Sequence, residues 1–409
     1  RLKYLIDYPH GCVEQTTSSA FPQLYLSDIM ELNSDFKIAI EGNIKAGIKR
    51  LSLFQTSSGG MGYWPGDNDG NEWGSNYAYH FLQEAEAKGY TVPANLLDNL
   101  KRYEKQKAIS WNRKPKTSYY WYYNEDLTQA YRLFVLALAK APELGAMNRL
   151  REDALLSTAA RWMLAASYQL AGQTEVAKKL AYNAPTKINP YAELSWTYGS
   201  HDRDEAMIVQ TLVLMGERAK AAPLVKTISA ELSKNRWMST QTTAYCLLAV
   251  SKFAANGGAS SEMNYTAKYN GITDTKLTKM PVKQLDMKLK GASEGNVEVA
   301  NNGKGILYAR IIMEGIPETG DQKSTENDLN MDVSYYTMEG GSMEPALLDQ
   351  GTDFYAQVTI TNPGVRGYYR EMALSQIFPS GWEIHNTRMD ETTTIIKSSY
   401  PTYQDIRDD

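Results

Sequence analysis

Two residues three positions apart, Cys12 and Gln15 in the stretch "YPHGCVEQTTS" (8–18), carry the most specific chemistry in the chain. A thiolate is a nucleophile and a carboxamide carbon is an acyl centre. Held together, they can exchange the carboxamide C–N bond for a C–S bond, with loss of ammonia and formation of an intrachain thioester. The acyl–sulfur bond is weakly stabilised and its thiolate leaves readily, so amines, hydroxyls or water can take the acyl group. Survival of such a bond requires dryness, which surrounding Tyr and Trp side chains can supply. A helix beginning after Gly11, entered through a turn at Pro9 and Gly11, would put residues three apart on one face with Cβ atoms about 5–6 Å apart. Its N-terminus is expected to lower the thiol pKa and favour the thiolate. These residues alone leave a second reading open, a buried structural cysteine beside ordinary first-turn capping by Glu14 and Gln15.

The remaining reactive side chains are scattered. His10 beside Cys12 suggests a cysteine nucleophile with its base, but two residues apart on a tight turn do not point together and no orienting Asn or Asp can be assigned. His80, His201 and His385 form no metal triad and default to solvent or core hydrogen bonding. "DNDGNE" (67–72) offers Asp67, Asp69 and Glu72 as oxygen donors, yet lacks the EF-hand spacing and reads as an Asp/Gly turn. Cys246 in "TAYCLLAV" reads as a packed core thiol. "NYT" at Asn264 fits a glycosylation sequon, which means nothing if the source does not glycosylate it. No cofactor or metal site is expected.

The housing for residues 8–18 comes next. The chain has 409 residues, enough for two or three domains. Hydrophobic residues at 43% and charged residues at 22% are ordinary for a globular chain, whereas 28 Tyr against 8 Phe is not. A net charge of −4 and no long Lys/Arg run exclude a nucleic-acid footprint. Two distant cysteines make no disulfide framework. No apolar stretch reaches the length of a membrane span, and "RLKYLIDYPHG" lacks a signal-peptide core. Both ends read as cut, so the chain is expected to be a fragment of something larger.

From about residue 13 to 255 the apolar spacing is helical, as in "QAYRLFVLALAKA" (129–141), "TAARWMLAASYQLA" (158–171), "AMIVQTLVLMGERA" (206–219) and "TTAYCLLAVSKFA" (242–254). The unit of aromatic loop, polar cap and small-residue helix recurs near Trp73, Asp126, Arg203 and Met238, behind loops such as "SSGGMGYWPG" and "LSWTYGS". Helices apolar on most faces need neighbours on both sides, which a closed ring of paired helices, an α/α toroid, provides. After "ANGGASSE" (255–262), short alternating segments separated by Gly, Pro and Asn predict antiparallel β-sandwich domains, divided at "PETGDQKSTEND" (317–328). The fold class expected is therefore multidomain, α then β.

The longer string "YPHGCVEQTTSSAFPQLYL" resembles the thioester region of the alpha-2-macroglobulin family, and Val13 between Cys and Glu looks like its bacterial members. The family motif Gly-Cys-x-Glu-Gln is present as Gly11, Cys12, Val13, Glu14 and Gln15. By this resemblance Cys12 and Gln15 form the thioester and donate the acyl group, while Gly11 and Glu14 complete the motif. Residues 1–256 resemble the thioester domain, an α/α toroid. Residues 257–320 resemble the returning half of the β domain that hosts it, and residues 325–409 the start of a truncated C-terminal macroglobulin-like β-sandwich ending near "RDD".

The resemblance implies a broad-spectrum protease inhibitor, not a turnover enzyme, that traps target proteases and acylates their lysine amines in a single-use reaction. It implies a periplasmic or cell-envelope location, with membrane attachment only through an anchor outside this chain. The upstream domains and the bait region also lie outside it. Some relatives carry a histidine before the segment matching "NEDLTQAY" that redirects the acyl group to hydroxyls; "SWNRKPKTSYYWYYNED" (110–126) has none, which implies a preference for amines. Two alternatives stand beside this: a surface adhesin using the same thioester, and an α/α-toroid glycan-processing enzyme using loop carboxylates such as those of 67–72.

Overall fold

The fold is given by a computed structural model. It describes residues 9–113, 125–193, 196–234, 236–255, 263–269, 271–278, 280, 282–285, 295–303, 307, 309–312, 326, 328–364, 367–369, 372–379 and 381–384. Two compact units divide at Arg310 and Ile311.

Among the described residues of the first unit, eleven helices of eight residues or more follow one another between residues 13 and 255. They are α1 (Val13–Ala20), α2 (Ser34–Ser52), α3 (Glu72–Ala87), α4 (Ala94–Ser110), α5 (Glu125–Leu138), α6 (Leu144–Arg151), α7 (Thr158–Leu170), α8 (Thr174–Ala181), α9 (His201–Leu214), α10 (Arg218–Ser233) and α11 (Thr240–Ala255). Short helical turns at Pro22–Tyr25 and Leu26–Ile29 join α1 to α2. Their starts follow local chemistry. Asn33, Asn71, Ser157 and Ser200 each stand at an N-cap in extended backbone and accept from the backbone N–H three residues on, at 2.8, 2.7, 3.4 and 3.1 Å.

The odd-numbered helices touch in the order α1, α3, α5, α7, α9, α11 and back to α1, a closed ring. The even-numbered ones lie outside it: α2 against α1 and α3, α4 against α3 and α5, α6 against α5 and α7, α8 against α7, and α10 against α9 and α11. Burial explains the division. Inner α5 buries Leu127, Ala130, Tyr131, Leu133, Val135 and Leu136 on all sides, while outer α8 buries only Ala177 and α10 only Ala221 and Ile228. A helix apolar around its circumference must be surrounded, and a striped one can face water. The interior is not purely apolar. Arg132 is buried between Glu104 at 2.9 Å and Glu72 at 2.8 Å, which ties α5 to α4 and α3. Arg203 of α9 is fully buried, paired with Asp204 at 2.6 Å and lying 4.4 Å over the Trp73 ring.

Strands are few. In the first unit β1 (Met263–Tyr269) pairs antiparallel with β2 (Ile272–Thr278) through Tyr269↔Ile272 and with β3 (Val297–Asn301) through Ala267↔Val299, in the order β2-β1-β3. Glu31, just after the Leu26–Ile29 turn, pairs with Lys276 of β2 and with Lys283 at 2.8 Å, joining this sheet to the helices. In the second unit β4 (Asn330–Thr337) and β5 (Phe354–Thr361) form a two-stranded antiparallel sheet, with Trp382 edge-on against Phe354 at 4.8 Å and Tyr335 at 5.9 Å.

The expected β-sandwich therefore is not what the described residues form: they hold these two small sheets, without a second sheet packed face to face on either. "YREMALSQIFP" alternates like a strand, yet 372–379 pair with nothing as a strand among the described residues. Alternation marks a segment that can present one face to a core, and it becomes a strand only where a neighbour supplies the ladder. Helix 206–219 also ends earlier than expected, at Leu214, where Gly216 takes a positive φ of 77°.

Candidate functional site

Gly11 sets the turn into α1. Its φ is +83°, a backbone region that residues with a Cβ rarely adopt, and Arg50 of α2 fixes its carbonyl with a 2.8 Å hydrogen bond from Nη2. Arg50 Nε also donates to Thr16 Oγ1 at 3.3 Å. Cys12 follows in extended backbone as the N-cap of α1, and Gln15 occupies the third helical position. The two are joined as a capping box: the Cys12 sulfur takes the place of a serine hydroxyl facing the backbone N–H of Gln15, and Gln15 Oε1 accepts from Cys12 N–H at 3.2 Å.

This differs from helical stacking of neighbours three apart, because Cys12 stands outside the helix. The carboxamide instead reaches back over the glycine. A Cβ built on Gly11 would lie 2.1 Å from Gln15 Oε1 and 2.9 Å from its Cδ, so no other residue type leaves the carboxamide where it is. Cys12 is 1% exposed while Gln15 is exposed, so the sulfur side of the pair is covered and the acyl side is open.

Three elements pack around the start of α1. Tyr63, in the loop between α2 and α3, accepts from Val13 N–H through its backbone carbonyl at 3.1 Å. Tyr198, in the loop before α9, donates to the Tyr63 hydroxyl at 2.5 Å with the two rings stacked 6.1 Å apart. Helix α3 presses in from below: a Cβ at Gly74 would stand 2.6 Å from a Val13 methyl.

Burial pushes the Cys12 thiol pKa up, and the nearby Glu14 carboxylate acts in the same direction. The Tyr63 hydroxyl and the backbone N–H groups of Gln15 and Glu14 pull it back only in part. This corrects the expectation of a thiol lowered by the helix N-terminus. The first-turn amides are present, but removing a thiolate from water costs more than they return.

Glu14 points the other way, into the ring. It is 4% exposed and accepts from Ser18 Oγ at 2.7 Å and from Thr240 Oγ1 at 2.9 and 3.1 Å, one hydroxyl bridging both carboxylate oxygens from α11. Burial raises its pKa against those donors. Ser18 also lies 3.2 Å from the Tyr77 hydroxyl, and Tyr77 stacks on Tyr245 at 5.1 Å. Tyr245 donates to Tyr131 at 2.6 Å, which meets His80 Nδ1 at 3.0 Å; His80 Nε2 lies 3.3 Å from Glu84. The motif carboxylate thus belongs to the wall where the ring closes.

The structure brings together Gly11, Cys12, Glu14 and Gln15 and leaves the other candidates elsewhere. His10 is exposed beside a buried Cys12. His80 is a core residue, and Cys246 Sγ lies within α11, 3.7 Å from the Asp202 carbonyl. Asp67 accepts from Trp64 N–H at 2.8 Å, and Glu72 goes to Arg132 and to Lys107 at 3.5 Å, so the carboxylates of 67–72 serve the loop and the core. His201 lies beside Asp202 at 3.4 Å. His385 and residues 114–124 of the aromatic loop lie outside the described residues. Tyr63, Tyr198, Arg50 and Thr240 were not among the candidates. The signal for the two tyrosines was the placement of aromatic loops before helices; Arg50 and Thr240 have no local signal.

Comparison with known proteins agrees with this picture. A family model described as the A-macroglobulin TED domain matches residues 1–114. The alpha-2-macroglobulin of Escherichia coli K12 is 24% identical over 97% of this chain and 24% of its own length. A cryo-EM reconstruction of the native Escherichia coli protein has a TM-score of 0.58 at 22% identity, covering 84% of this chain and 22% of that one. Salmonella alpha-2-macroglobulin reacted with methylamine has a TM-score of 0.60 at 20% identity, covering 88% and 24%. The ring of helices and the matched model together define a macroglobulin-type helical domain. Over nearly its whole length the chain is similar to alpha-2-macroglobulins, and it spans about a quarter of the length of those relatives.

Proposed function

We propose that this chain is the reactive portion of a protease-trapping alpha-2-macroglobulin, with an internal Cys12–Gln15 thioester as its single-use acyl donor. The observation that carries the reading is the capping box itself. The Gln15 carboxamide is held against Cys12 by the Cys12 N–H, in a space that exists because residue 11 has no side chain. Attack of the sulfur on Gln15 Cδ forms the C–S bond and expels ammonia. The Cys12 N–H that now polarises the carbonyl is placed to stabilise the oxyanion of that step and of the reverse acyl transfer. Preorganisation replaces the entropy of bringing thiol and amide together.

In this reading the acceptors are lysine amines of target proteases, Gln15 is consumed, and the protein inhibits without turning over. The reaction of the Salmonella relative with methylamine supports an amine acceptor. The ring of helices is the α/α toroid of residues 1–256. Residues 257–320 belong to the β domain that hosts it, and residues 325–409 to a macroglobulin-like β-sandwich. The periplasm or cell envelope is the compartment, by family likeness alone.

The test is the intact mass of the chain beside Cys12→Ala, with thiols counted before and after methylamine. The expected wild-type mass is short by one ammonia, and treatment adds methylamine at Gln15 and releases one thiol; Cys12→Ala shows neither. A full mass with unmodified Gln15 on peptide mapping and no methylamine uptake would overturn the reading, whereas Glu at position 15 identifies a hydrolysed thioester.

A further inference from the structure

The Gly11–Cys12 peptide unit stands at the centre of the site, and a side chain from another helix holds it. Its N–H donates to Gln15 Oε1 at 3.2 Å, and its carbonyl accepts from Arg50 Nη2 at 2.8 Å. A trans peptide is planar with its N–H and C=O opposed, so whatever fixes the oxygen also aims the hydrogen. Arg50 reaches the turn from the end of α2, its guanidinium 5.6 Å from the centre of the buried Phe54 ring.

The preceding peptide unit is held as well. Arg50 Nε donates to Thr16 Oγ1 at 3.3 Å, and that hydroxyl donates to the His10 carbonyl at 3.4 Å. The carbonyls on the two sides of the Gly11 Cα are therefore tied to one guanidinium, one directly and one through a hydroxyl. Glycine is the residue at which a peptide unit turns over at least cost. Were the Gly11–Cys12 unit to turn over, its N–H would leave Gln15 and its own oxygen would take that place. Residue 11 must lack a side chain to admit the carboxamide, and the freedom this brings has to be cancelled from outside the turn.

We propose that Arg50 is a positioning residue of acyl transfer: through the Gly11 carbonyl it aims and strengthens the Cys12 N–H that stabilises the oxyanion on Gln15. The proposal rests on the thioester reading above. In the step an amine nitrogen bonds to Gln15 Cδ and the carbonyl π pair moves to Oε1, where the Cys12 N–H meets it. The pair returns as the Cδ–Sγ bond breaks, and the electrons of that bond go to sulfur. The amine sheds one proton to solvent, and the thiolate takes one up from solvent. Arg50 touches no reacting atom and is unchanged throughout. Two effects act together. A hydrogen bond from a cation is of the stronger, charge-assisted kind, so it holds the peptide plane against turning over. A carbonyl that accepts such a bond also polarises the N–H of its own peptide, because hydrogen bonds in a chain strengthen one another. Among the described residues both hydrogen bonds of Arg50 go to neutral oxygens of the motif and its turn, so its charge is directed there.

The test separates aiming from mere support. Wild type, Arg50→Lys and Arg50→Met are compared by the rate constant at which methylamine releases the Cys12 thiol, counted only over chains that carry the ammonia deficit. Losing an aimed oxyanion donor should slow release in Arg50→Met by about 10- to 100-fold. Arg50→Lys keeps the charge without the two-pronged grip and should fall between. A second readout is the thioester carbonyl stretch, taken as the infrared band that methylamine removes from protein with isotopically labelled glutamine side chains. A weaker donor to that carbonyl should move the band to higher wavenumber in Arg50→Met. Support alone would lower the fraction of chains with the deficit and leave the rate constant and the band of the remainder unmoved. That outcome in Arg50→Met overturns the role of Arg50 and leaves the thioester standing. If Arg50→Met keeps its helical circular dichroism but carries no deficit, Arg50→Lys decides: a restored deficit supports a cationic donor, and a missing one overturns it. A wild type with full mass and unmodified Gln15 overturns the thioester reading and this proposal together.

Discussion

Cys12 and Cys246 are buried to the same degree, 1% and 0% exposed, and they differ in everything else that decides reactivity. Cys246 lies in the middle of α11, where the backbone amides are taken up by the helix and its sulfur meets the Asp202 carbonyl at 3.7 Å. Cys12 stands one residue before a helix, where first-turn amides have no intrahelical partner and point at its sulfur. A carboxamide is folded against it. Burial protects both thiols. Only the N-cap position adds donors and an electrophile, so the difference between a packed sulfur and a poised one is backbone geometry more than exposure.

The sharpest way to break this contrast is at Gly11. Gly11→Ala introduces a Cβ that would overlap Gln15 Oε1 and forces a positive φ on a side-chain-bearing residue, at a backbone cost of roughly 1–2 kcal/mol. The carboxamide must swing away from Cys12, and Cys12 should then behave as Cys246 does. The expected outcome is loss of at least about nine-tenths of the methylamine uptake, since each misplacement worth about 1.4 kcal/mol is a factor of ten, with the helical circular dichroism signal kept. Full uptake in this variant would mean that the carboxamide reaches the sulfur by another path.

Much of this was legible in the sequence, and the parts that were not share a cause. The run from Val13 to Ala255 reads as helices because its apolar residues recur at three and four. The starts of four of the five later inner helices are marked by the repeated loop and cap at Trp73, Asp126, Arg203 and Met238, and that these helices are apolar all round told that they lie inside a ring. Gly11, Cys12 and Gln15 form a short-range motif whose chemistry needs no tertiary knowledge. What failed depended on distance or on competition between terms. Thr240 is 226 residues from Glu14 and Arg50 is 39 from Gly11, and neither pairing leaves a local trace. The thiol pKa was misjudged because local sequence supplies the amides and not the burial. The described residues do not show the sandwich expected, because strand pairing is settled by partners beyond any one segment.

Thr240 tests whether the pocket is held from across the ring. Its hydroxyl bridges both oxygens of Glu14 where α11 meets α1, and Thr240→Val keeps the shape while removing the donor. A buried carboxylate that loses such a bond costs about 1–3 kcal/mol, so the melting temperature should fall by several degrees. The sign of the pH effect follows from burial. Glu14 already has a raised pKa, so its native state favours the protonated form and stability falls as pH rises above the unfolded carboxylate value of about 4.5. Losing the Thr240 donor raises the pKa further. The variant should therefore be closest to wild type in acid and fall behind it as pH climbs to neutrality; an equal deficit at pH 4 and pH 7 would mean that the hydroxyl acts by packing alone.

The smallest effect is expected at the other sulfur, and it bears on the contrast most directly. Cys246→Ala deletes one buried atom from a well-packed helix whose neighbours Tyr245, Leu248 and Ala249 remain in place. Losses of that size lie near about 1 kcal/mol, or a melting shift of about 2–4 °C for a domain this large. Methylamine uptake and the ammonia deficit should be unchanged, because the hydrogen bonds from α11 to the motif run from Thr240 to Glu14, whereas the Cys246 sulfur meets the Asp202 carbonyl. If the variant instead lost uptake while staying folded, the packing of α11 would be controlling the Cys12 cap, and the two cysteines would be coupled where their surroundings present them as independent.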